Sequence, residues 1–574
     1  MLGIVVRPGL GFAVVCLALV TGVNASTIAQ GDRFRKCWEA KVPGHYGKVF
    51  IREDPGYNDR MTRNYEPDPT KAPFAFVDCE NEFAVQAAIR CAAENGLQVC
   101  PRSGGHSRIG SSMCDGVVLE MGLIGHLQVS ENASKASVGP GLTNGVGIYH
   151  LLKNYSRLIP VGKCASVALG GYILGGGLSE FSDKLGFACD NLVSVSGVDG
   201  MGNIVHASQT VNQDLFWAAC GGGAGQFMAF FNYTLNTAVS TVYDNFVGFR
   251  YRTPIENVPQ VLHWYFGFTD QEASNVQLRL RLVIKGSTNK GNNSEYMDLA
   301  GACYATSDTA QCRDLMVAKG FNSSMWNERI FMPGYTAMDL IKFYAESEMF
   351  TDEKALLEHG MLYVEGSSSR DNVRVTALGF RYQGNGSIPT QPPIDYFVNY
   401  IQQSQTDCNM TGLRKCITIF QALGSGITSI SENSTALYGL RLSTHWISIR
   451  IEARLTYENA SSDSLIRHQS YLAAESMGNF VNYQDDTLGS SYPEAYYGPG
   501  YTRLQSVKAL FDPWNIFLSS QPVTLPPSSL LRRSLNVFPM ERSGYEDEPF
   551  FWKRYSSFPQ VQPRLDFSSM ELDY

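Results

Sequence analysis

The sequence has little of what marks a nucleic-acid-binding protein. Lys and Arg number 46 against 54 Asp and Glu, so the formal net charge is −8, and no run of basic residues could follow a phosphate backbone. The hydrophobic content of 44% and the charged content of 17% are ordinary for a globular protein. These values exclude a fibrous or disordered chain, and we expect no nucleic acid among its partners.

The motifs of several common enzyme classes are absent as well. The 574 residues contain no H-E-x-x-H or C-x-x-C metal motif, no P-loop, no G-x-S-x-G nucleophile turn and no intact G-x-G-x-x-G. A Rossmann-type NAD enzyme is therefore disfavoured. We also expect no bound metal.

Long apolar stretches are missing after the first 25 residues. There, "GLGFAVVCLALVTGV" follows a single arginine and leads into "VNAS", whose small residues resemble a cleavage site. This pattern predicts a signal peptide, residues 1–25, cleaved near Ala25. A membrane anchor is disfavoured because the apolar stretch is shorter than the roughly 20 residues that a span needs. We expect a secreted protein with no membrane contact after cleavage.

Two further patterns agree with export. Cys303 with Cys312, and Cys408 with Cys416, are close enough in sequence to close local loops as disulfides. Five other cysteines could pair in several ways: Cys37, Cys79, Cys91, Cys100 and Cys114. The chain also has nine N-x-S/T glycosylation sequons, at Asn132, Asn154, Asn232, Asn292, Asn322, Asn385, Asn409, Asn433 and Asn459.

The secondary-structure pattern changes along the chain. From about residue 71 it predicts strand, helix and strand in "PFAFVDC", "NEFAVQAAIRCAAENG" and "LQVCPRSGG". A β-hairpin is predicted in "LVSVSGVDGMGNIVHAS", with its turn between Asp199 and Asn203. Later, "NVQLRLRLVIKG" and "HWISIRIEARLTY" alternate in character, which predicts a half-buried antiparallel sheet. A helix is predicted from Tyr501 to Leu510.

Glycine, by contrast, is abundant, and it is concentrated in four loops. These are "RSGGHSRIG" (102–110), "VGPGLTNG" (138–145), "GKCASVALGGYILGGG" (162–177) and "CGGGAGQF" (220–227). Glycine lets backbone amides approach a ligand closely, so successive loops of this kind can wrap a pyrophosphate or a flat ring. Tight turns in a β-rich fold would explain many of these glycines singly, but not the histidine and cysteine among them.

His106 and Cys164 are those two residues. An imidazole nitrogen and a thiolate can each bond to an electron-poor ring. Taken alone, His106 would be a structural residue and Cys164 half of a disulfide. Because both lie in glycine loops, we interpret the pair as ligand-binding.

Together these segments resemble the FAD-linked oxidoreductases of the vanillyl alcohol oxidase superfamily, specifically the berberine bridge enzyme-like group with two covalent flavin links. In that group the histidine of R-S-G-G-H-S bonds the flavin 8α carbon, and the cysteine of G-x-C-x-x-V-G-x-G-G bonds ring carbon six. His106 and Cys164 match those positions. The similarity covers roughly Ala72 to Ser520, through "DLFWAACGGGAGQF", "NFVNYQDD" and "YYGPGYTRLQSVKALFDPWNIF".

The resemblance implies an α+β fold. A two-part PCMH-type FAD-binding domain, residues 69–245 and 478–525, would hold a separate substrate domain, residues 246–477, built on a large antiparallel sheet. The tail, residues 526–574, has no assigned structure.

The resemblance also implies FAD as the cofactor, linked through His106 and Cys164. The cofactor-binding role is carried onto the residues that match the group's motifs: Arg102, Ser103, Gly104, Gly105, His106, Ser107, Gly110, Gly162, Cys164, Val167, Gly170, Gly171, Tyr172, Gly175, Gly176, Gly177 and Asn482.

Tyr483 is the predicted catalytic base. Members of the group often use a tyrosine or a carboxylate, and Tyr483 matches the tyrosine that some of them use, whereas Phe480 replaces another tyrosine of the same segment. This role requires a pKa lowered from about 10. The alternative is a tyrosine that only packs between the domains.

Several residues near these motifs depart from the group's pattern. Tyr172 stands in place of a histidine that often supports the reduced flavin, Ala168 and Met228 replace glycines, and Cys220 replaces an arginine. Val167, in contrast, matches the small residue that leaves room for dioxygen beside the flavin.

The resemblance thus implies a secreted, monomeric FAD-dependent oxidase. It would take hydride from a bulky alcohol, saccharide or secondary-metabolite substrate and pass the electrons to dioxygen, giving hydrogen peroxide. Two alternatives stay open, a dehydrogenase that uses another acceptor and a flavin-binding protein with little turnover. No motif identifies the substrate.

Overall fold

The computed structural model describes residues 30–527 except 43–46, 65–69, 163, 270–275, 286–294, 305, 307, 319, 327, 345–370, 382–393, 410–411 and 455–457. The predicted signal peptide, nearly all of the predicted tail, and the sequons at Asn292 and Asn385 lie outside the described residues.

The strands are β1 (Val49–Phe50), β2 (Ala75–Asp78), β3 (Val99–Arg102), β4 (Val117–Glu120), β5 (Leu127–Val129), β6 (Lys135–Val138), β7 (Arg157–Leu158), β8 (Leu192–Asp199), β9 (Ile204–Ser208), β10 (Met228–Asn236), β11 (Ala238–Val239), β12 (Phe246–Pro254), β13 (Val276–Lys285), β14 (Glu295–Cys303), β15 (Glu328–Gly334), β16 (Asp371–Phe380), β17 (Leu413–Ala422), β18 (His445–Arg454) and β19 (Gly478–Asn479). The helices are α1 (30–41), α2 (Pro55–Met61), α3 (Glu82–Glu94), α4 (Asn144–Tyr155), α5 (Leu169–Leu174), α6 (Ser182–Leu185), α7 (Gln213–Ala218), α8 (Val258–Thr269), α9 (Thr309–Ala318), α10 (Ala337–Tyr344), α11 (Ile394–Cys408), α12 (Ser425–Thr428), α13 (Glu458–Ala473), α14 (Tyr492–Tyr497) and α15 (Tyr501–Phe511).

The first sheet contains the predicted strand, helix and strand. Its order is β1-β2-β4-β3, with β2, β4 and β3 parallel and β1 antiparallel at the edge. Helix α3 begins after Asn81, whose side chain accepts a hydrogen bond from the Ala84 backbone and so satisfies a free N–H of the first turn. Val85, Ala88 and Ile89 on one face of α3 are fully buried, which fixes the helix on the sheet.

The second sheet has the order β5-β6-β10-β8-β9 and is antiparallel throughout. Strands β8 and β9 form the predicted hairpin. Asp199 Oδ1 closes its turn by accepting from the backbone N–H groups of Met201 at 2.9 Å and Asn203 at 2.8 Å.

The third sheet is the predicted large antiparallel sheet, with eight strands in the order β15-β12-β14-β13-β17-β18-β16-β19. One face is apolar: Leu278, Leu280 and Leu282 of β13 are buried in a core that includes residues of α8, α11 and α13. The other face of β13 carries Gln277 and Arg279, which contact the glycine-rich part of the chain. The α+β fold class is confirmed.

The C-terminal segment connects the large sheet to the first sheet. Strand β19 pairs with β16, and the chain then passes through α15, which ends one residue after the predicted Leu510. Beyond this helix, the Val99 N–H donates to the Ile516 carbonyl at 2.8 Å, and the Leu518 N–H donates to the Val99 carbonyl at 2.9 Å. Residues 478–518 therefore lie against both parts of the molecule.

Five disulfides close loops in the described chain: Cys37–Cys91, Cys100–Cys114, Cys189–Cys220, Cys303–Cys312 and Cys408–Cys416. The two predicted local pairs are among them. Within the described residues, Cys79 and Cys164 are the cysteines outside disulfides; Cys79 is buried and Cys164 is partly exposed.

The described sequons differ in accessibility. Six asparagines are exposed: Asn132, Asn154, Asn322, Asn409, Asn433 and Asn459. Asn232 is half-buried on β10 and accepts a hydrogen bond from Ser137 at 2.6 Å, so it is poorly placed for a glycan. Among the helices described, none has both the length and the apolar character needed to cross a bilayer.

Buried histidines make the fold sensitive to acid. Burial lowers the pKa of His468 from 6.5 to about 4, and that of His445 to about 3. The folded chain therefore keeps both rings neutral while the unfolded chain takes up protons below about pH 6.5. Their contribution to stability is complete above pH 6.5 and is lost progressively as the pH falls toward 4.

We predict that His468→Asn reduces the pH dependence of stability. Nδ1 of His468 lies 2.9 Å from the Tyr400 hydroxyl, so the variant will be less stable at every pH, but it has no group to protonate. The loss of unfolding free energy between pH 7 and pH 5, measured by urea denaturation, should be smaller than in wild type by about 2 kcal/mol. His263→Asn is the control, since the His263 side chain is 58% exposed. An unchanged pH dependence in His468→Asn would contradict the prediction.

Candidate active site

Two glycine-rich loops bring His106 and Cys164 to one serine. His106 Nε2 lies 3.0 Å from the Ser166 hydroxyl oxygen, and Cys164 Sγ lies 3.8 Å from the same oxygen. The second loop is held by Asn144, which donates from its side chain to the Cys164 carbonyl at 3.1 Å and from its backbone to the Val167 carbonyl at 2.9 Å. The structure thus brings together the two predicted attachment residues.

The protonation state of the His106 imidazole suits a nucleophile. Burial, assisted by the positive charge of Arg108, lowers the pKa of His106 from 6.5 to about 4. The imidazole is therefore neutral near pH 7 and keeps a lone pair on one ring nitrogen. Cys164 is a free, partly exposed thiol beside it.

The two loops approach each other where no side chain would fit. A Cβ atom on Gly104 would lie 2.9 Å from the backbone nitrogen of Ala168. Gly177 has φ of +80°, a conformation that favours glycine, and a Cβ atom there would lie 2.7 Å from the Tyr172 ring. The other predicted glycines lie in the same loops: Gly105 and Gly110 in the first, and Gly162, Gly170, Gly171, Gly175 and Gly176 in the second.

The C-terminal segment completes this region. Asn482 donates to the Tyr172 carbonyl at 2.9 Å, and its side chain fills the space in front of Gly175. Ser103 packs in the same way against Gly170. Ser107 hydrogen-bonds to Gln484 at 3.4 Å, so the first loop also contacts this segment.

Arg102 differs from the other predicted cofactor residues. Its side chain is fully buried, forms an ion pair with Glu120 and lies over the Phe76 ring. The Arg102 Nε donates to Glu120 Oε2 at 3.0 Å. Its guanidinium group therefore holds β3 to β4 beneath the loop.

The environment of Tyr483, the predicted base, does not favour the deprotonated form of its phenol. Its ring packs against Trp446, with centroids 5.5 Å apart, and against Phe480 at 5.9 Å. Burial raises the pKa of Tyr483, although the charges of Arg108 and Arg279 oppose the shift. This is the reverse of the lowering that the role of base requires, so that role stays a prediction.

Sequence reasoning missed a second group of residues that reach this site from the large sheet. Arg279 on β13 donates to Glu180 at 3.2 Å, and Gln277 on the same face donates to the Glu180 carbonyl at 3.0 Å. Glu180 stands three residues after the quoted glycine stretch, which ends at Gly177, and Arg279 lies within a quoted alternating segment. No pattern in the sequence predicts that Glu180 and Arg279 would contact each other.

Comparison with known proteins places the chain among FAD-linked oxidoreductases. Residues 73–208 match the family model "FAD binding domain", and residues 479–524 match "Berberine and berberine like". Berberine bridge enzyme-like 23 of Arabidopsis thaliana is 25% identical over 89% of this chain and 97% of its own length. The chain belongs to the berberine bridge enzyme-like FAD-linked oxidoreductases.

Solved structures of similar fold include both an oxidase and a dehydrogenase. A chitooligosaccharide oxidase aligns with a TM-score of 0.71 at 18% identity, covering 86% of this chain and 100% of that one. A variant of Phl p 4 described as a glucose dehydrogenase also aligns at 0.71 with 18% identity. At this identity the likeness concerns the fold.

FAD is the cofactor of this berberine bridge enzyme-like oxidoreductase, and the site fits it. A neutral imidazole and a free thiol share one edge of the region, at Ser166. The glycines at 104 and 177 let the backbone that carries these residues pack closely against Ala168, Tyr172 and Ala188. His106 and Cys164 are the residues that would hold the isoalloxazine ring.

We predict that the flavin has two independent covalent links. Acid precipitation should give a yellow pellet from wild type, His106→Ala and Cys164→Ala, but a colourless one from the double variant. The measurement is the visible spectrum of the washed, redissolved pellet. Cys79→Ala is a matched control, because Cys79 is the second cysteine outside a disulfide in the described part of the chain and is buried. Flavin released from wild type would mean that neither link forms.

Proposed function

We propose that this protein is a secreted oxidase with bicovalent FAD. It takes hydride from a carbon that bears a hydroxyl group in a bulky alcohol, saccharide or secondary metabolite. The bound FAD supplies the oxidising chemistry, and dioxygen receives the electrons to give hydrogen peroxide. The observation that carries the proposal is the meeting of His106 and Cys164 at Ser166, because two links would hold the ring without a protein lid above it.

The chain's own residues orient and confine the reaction. His106 and Cys164 would fix the ring at one edge, while Asn482 holds the Tyr172 carbonyl from the C-terminal segment. The rings of Trp446 and Tyr483 pack against each other at the border of the large sheet, which fixes the orientation of Tyr483. The exposed sequon at Asn154 and the five disulfides support the secretory route.

Val167 supports dioxygen as the acceptor. It is half-buried, and its N–H donates to the Cys164 carbonyl at 3.3 Å, so it lies beside the attachment cysteine. The dehydrogenase alternative is kept because one similar fold belongs to a protein described as a glucose dehydrogenase, and because Tyr172 replaces the histidine usual in the group.

The proposal is tested with a panel of alcohols, oligosaccharides and alkaloids. An anaerobic mixture with a true substrate should bleach the flavin absorbance, and the admission of air should restore it with release of hydrogen peroxide. Bleaching followed by no return in air, but by return with a quinone, would establish a dehydrogenase instead. A flavin that no compound in the panel bleaches would contradict the substrate classes proposed.

We predict that Val167→Ile slows reoxidation by dioxygen at least tenfold while leaving the anaerobic reduction rate within about twofold. The added methyl group would occupy the space next to the ring that dioxygen needs. Stopped-flow absorbance after mixing reduced protein with air-saturated buffer measures the effect. Val167→Ala, which enlarges the same space, should reoxidise at least as fast as wild type. Equal rates for Val167→Ile and wild type would argue against dioxygen access at this position.

A further inference from the structure

Glu180 has two carboxylate oxygens in different surroundings. Oε1 accepts from the Arg279 guanidinium at 3.2 Å. Oε2 is buried and has no hydrogen-bond partner among the described residues. The whole side chain is 12% exposed. A buried carboxylate oxygen without a donor costs free energy, so this atom is suited to meet a donor that arrives from outside the chain.

The side chain is held in place from the large sheet. Gln277 donates to the Glu180 backbone carbonyl at 3.0 Å, and its own Oε1 accepts from the Tyr304 hydroxyl at 2.9 Å. Gln277 and Arg279 are two residues apart on β13, so they project from the same face of the strand. Together they fix both the backbone and one oxygen of Glu180, and they leave the second oxygen in a defined position.

Glu180 also belongs to the region that holds the ring. It follows the stretch that ends at Gly177 by three residues. The charged and titratable groups that act on it or share its surroundings are Arg279 from the sheet, Tyr172 from α5 and Tyr483 from the C-terminal segment. Burial is the main cause of the raised pKa of both phenols, and the Glu180 charge adds to it; Cys164 also contributes at Tyr483. Glu180 and Cys164 therefore both contribute to the electrostatic environment of Tyr483.

We propose that Glu180 is the catalytic base, and that its Oε2 accepts the proton of the substrate's hydroxyl group. This inference rests on the proposed oxidation of a hydroxyl-bearing carbon. In that reaction the substrate is oxidised: its C–H bond breaks with both electrons passing as hydride to the bound FAD, and its O–H proton passes to Glu180. A C=O double bond forms in the product.

Neighbouring residues take supporting roles in this arrangement. Arg279 is a positioning residue, because its hydrogen bond to Oε1 fixes the orientation of the carboxylate group. Tyr483 stays protonated, since its pKa is raised, and it can donate a hydrogen bond to the substrate oxygen. Because the raised pKa of Tyr483 disfavours the phenolate, the carboxylate is the group to which we assign the proton.

The first test uses the substrate found in the panel and the rate of anaerobic flavin reduction from pH 5 to pH 9. Glu180→Gln should lower the limiting rate by 100-fold or more, keep the substrate dissociation constant within about threefold and abolish the fall of rate at acid pH. Glu180→Asp should recover part of the rate, and its rate should again fall at acid pH; we call this fall the acid limb of the pH profile. Tyr483→Phe should keep the acid limb. The exposed Glu131→Gln is the control, with wild-type behaviour expected.

The second test measures binding without turnover. The carbonyl product of the same substrate is titrated into the oxidised protein, and the visible flavin spectrum reports its dissociation constant. In wild type the product should bind more tightly at acid pH, because protonated Glu180 can donate to the carbonyl oxygen. In Glu180→Gln the amide donates at every pH, so the dissociation constant should not change with pH.

The possible failures are distinguishable. A wild-type flavin that no compound reduces contradicts the proposed function and this role with it. Wild-type reduction by Glu180→Gln, with its acid limb intact, overturns the role of Glu180 alone. Loss of the acid limb in Tyr483→Phe instead would return the role of base to Tyr483. If Glu180→Gln melts at a lower temperature and loses flavin while product binding keeps its pH dependence, Glu180 is only an anchor between loop and sheet.

Discussion

The site depends on the close approach of two backbone segments. The loop of residues 102–110 lies against the loop of residues 162–177 where a Cβ atom on Gly104 would be 2.9 Å from the Ala168 nitrogen. Only this approach lets His106 and Cys164, far apart in sequence, share the Ser166 hydroxyl. A side chain at Gly104 would push the loops apart and, with them, His106 and Cys164.

The second dependence is on how the large sheet meets these loops. Arg279 contacts Glu180 beside the glycine stretch, and Arg441 holds Asp190 with an Nη1 to Oδ2 distance of 2.9 Å. The Asp190 and Arg441 side chains are almost fully buried, so removing one partner would leave an uncompensated charge. These ion pairs fix the large sheet and the segment before β18 relative to the glycine-rich part of the chain, where Trp446 also packs against Tyr483.

Local sequence signals were sufficient where neighbouring residues decide the structure. The hairpin at Asp199 forms because that side chain closes its own turn, and α3 forms because its apolar positions repeat at helical spacing above a capping asparagine. Two disulfides with short separations, Cys303–Cys312 and Cys408–Cys416, were predictable for the same reason. The pairing of Cys189 with Cys220 was not, since it depends on how separate loops pack.

The sequence by itself determined the α+β class and the large antiparallel sheet, because periodicity is a local property of the chain. The resemblance of its motifs to a known family implied FAD, and it predicted His106 and Cys164 as the residues that bind the flavin. Only the tertiary structure decided the electrostatics. The pKa of a tyrosine depends on burial and on charges from other elements, so motif alone could not reveal that the pKa of Tyr483 is raised. For the same reason, only folding shows that Glu180 meets Arg279 with one oxygen and leaves the other without a partner in the described chain.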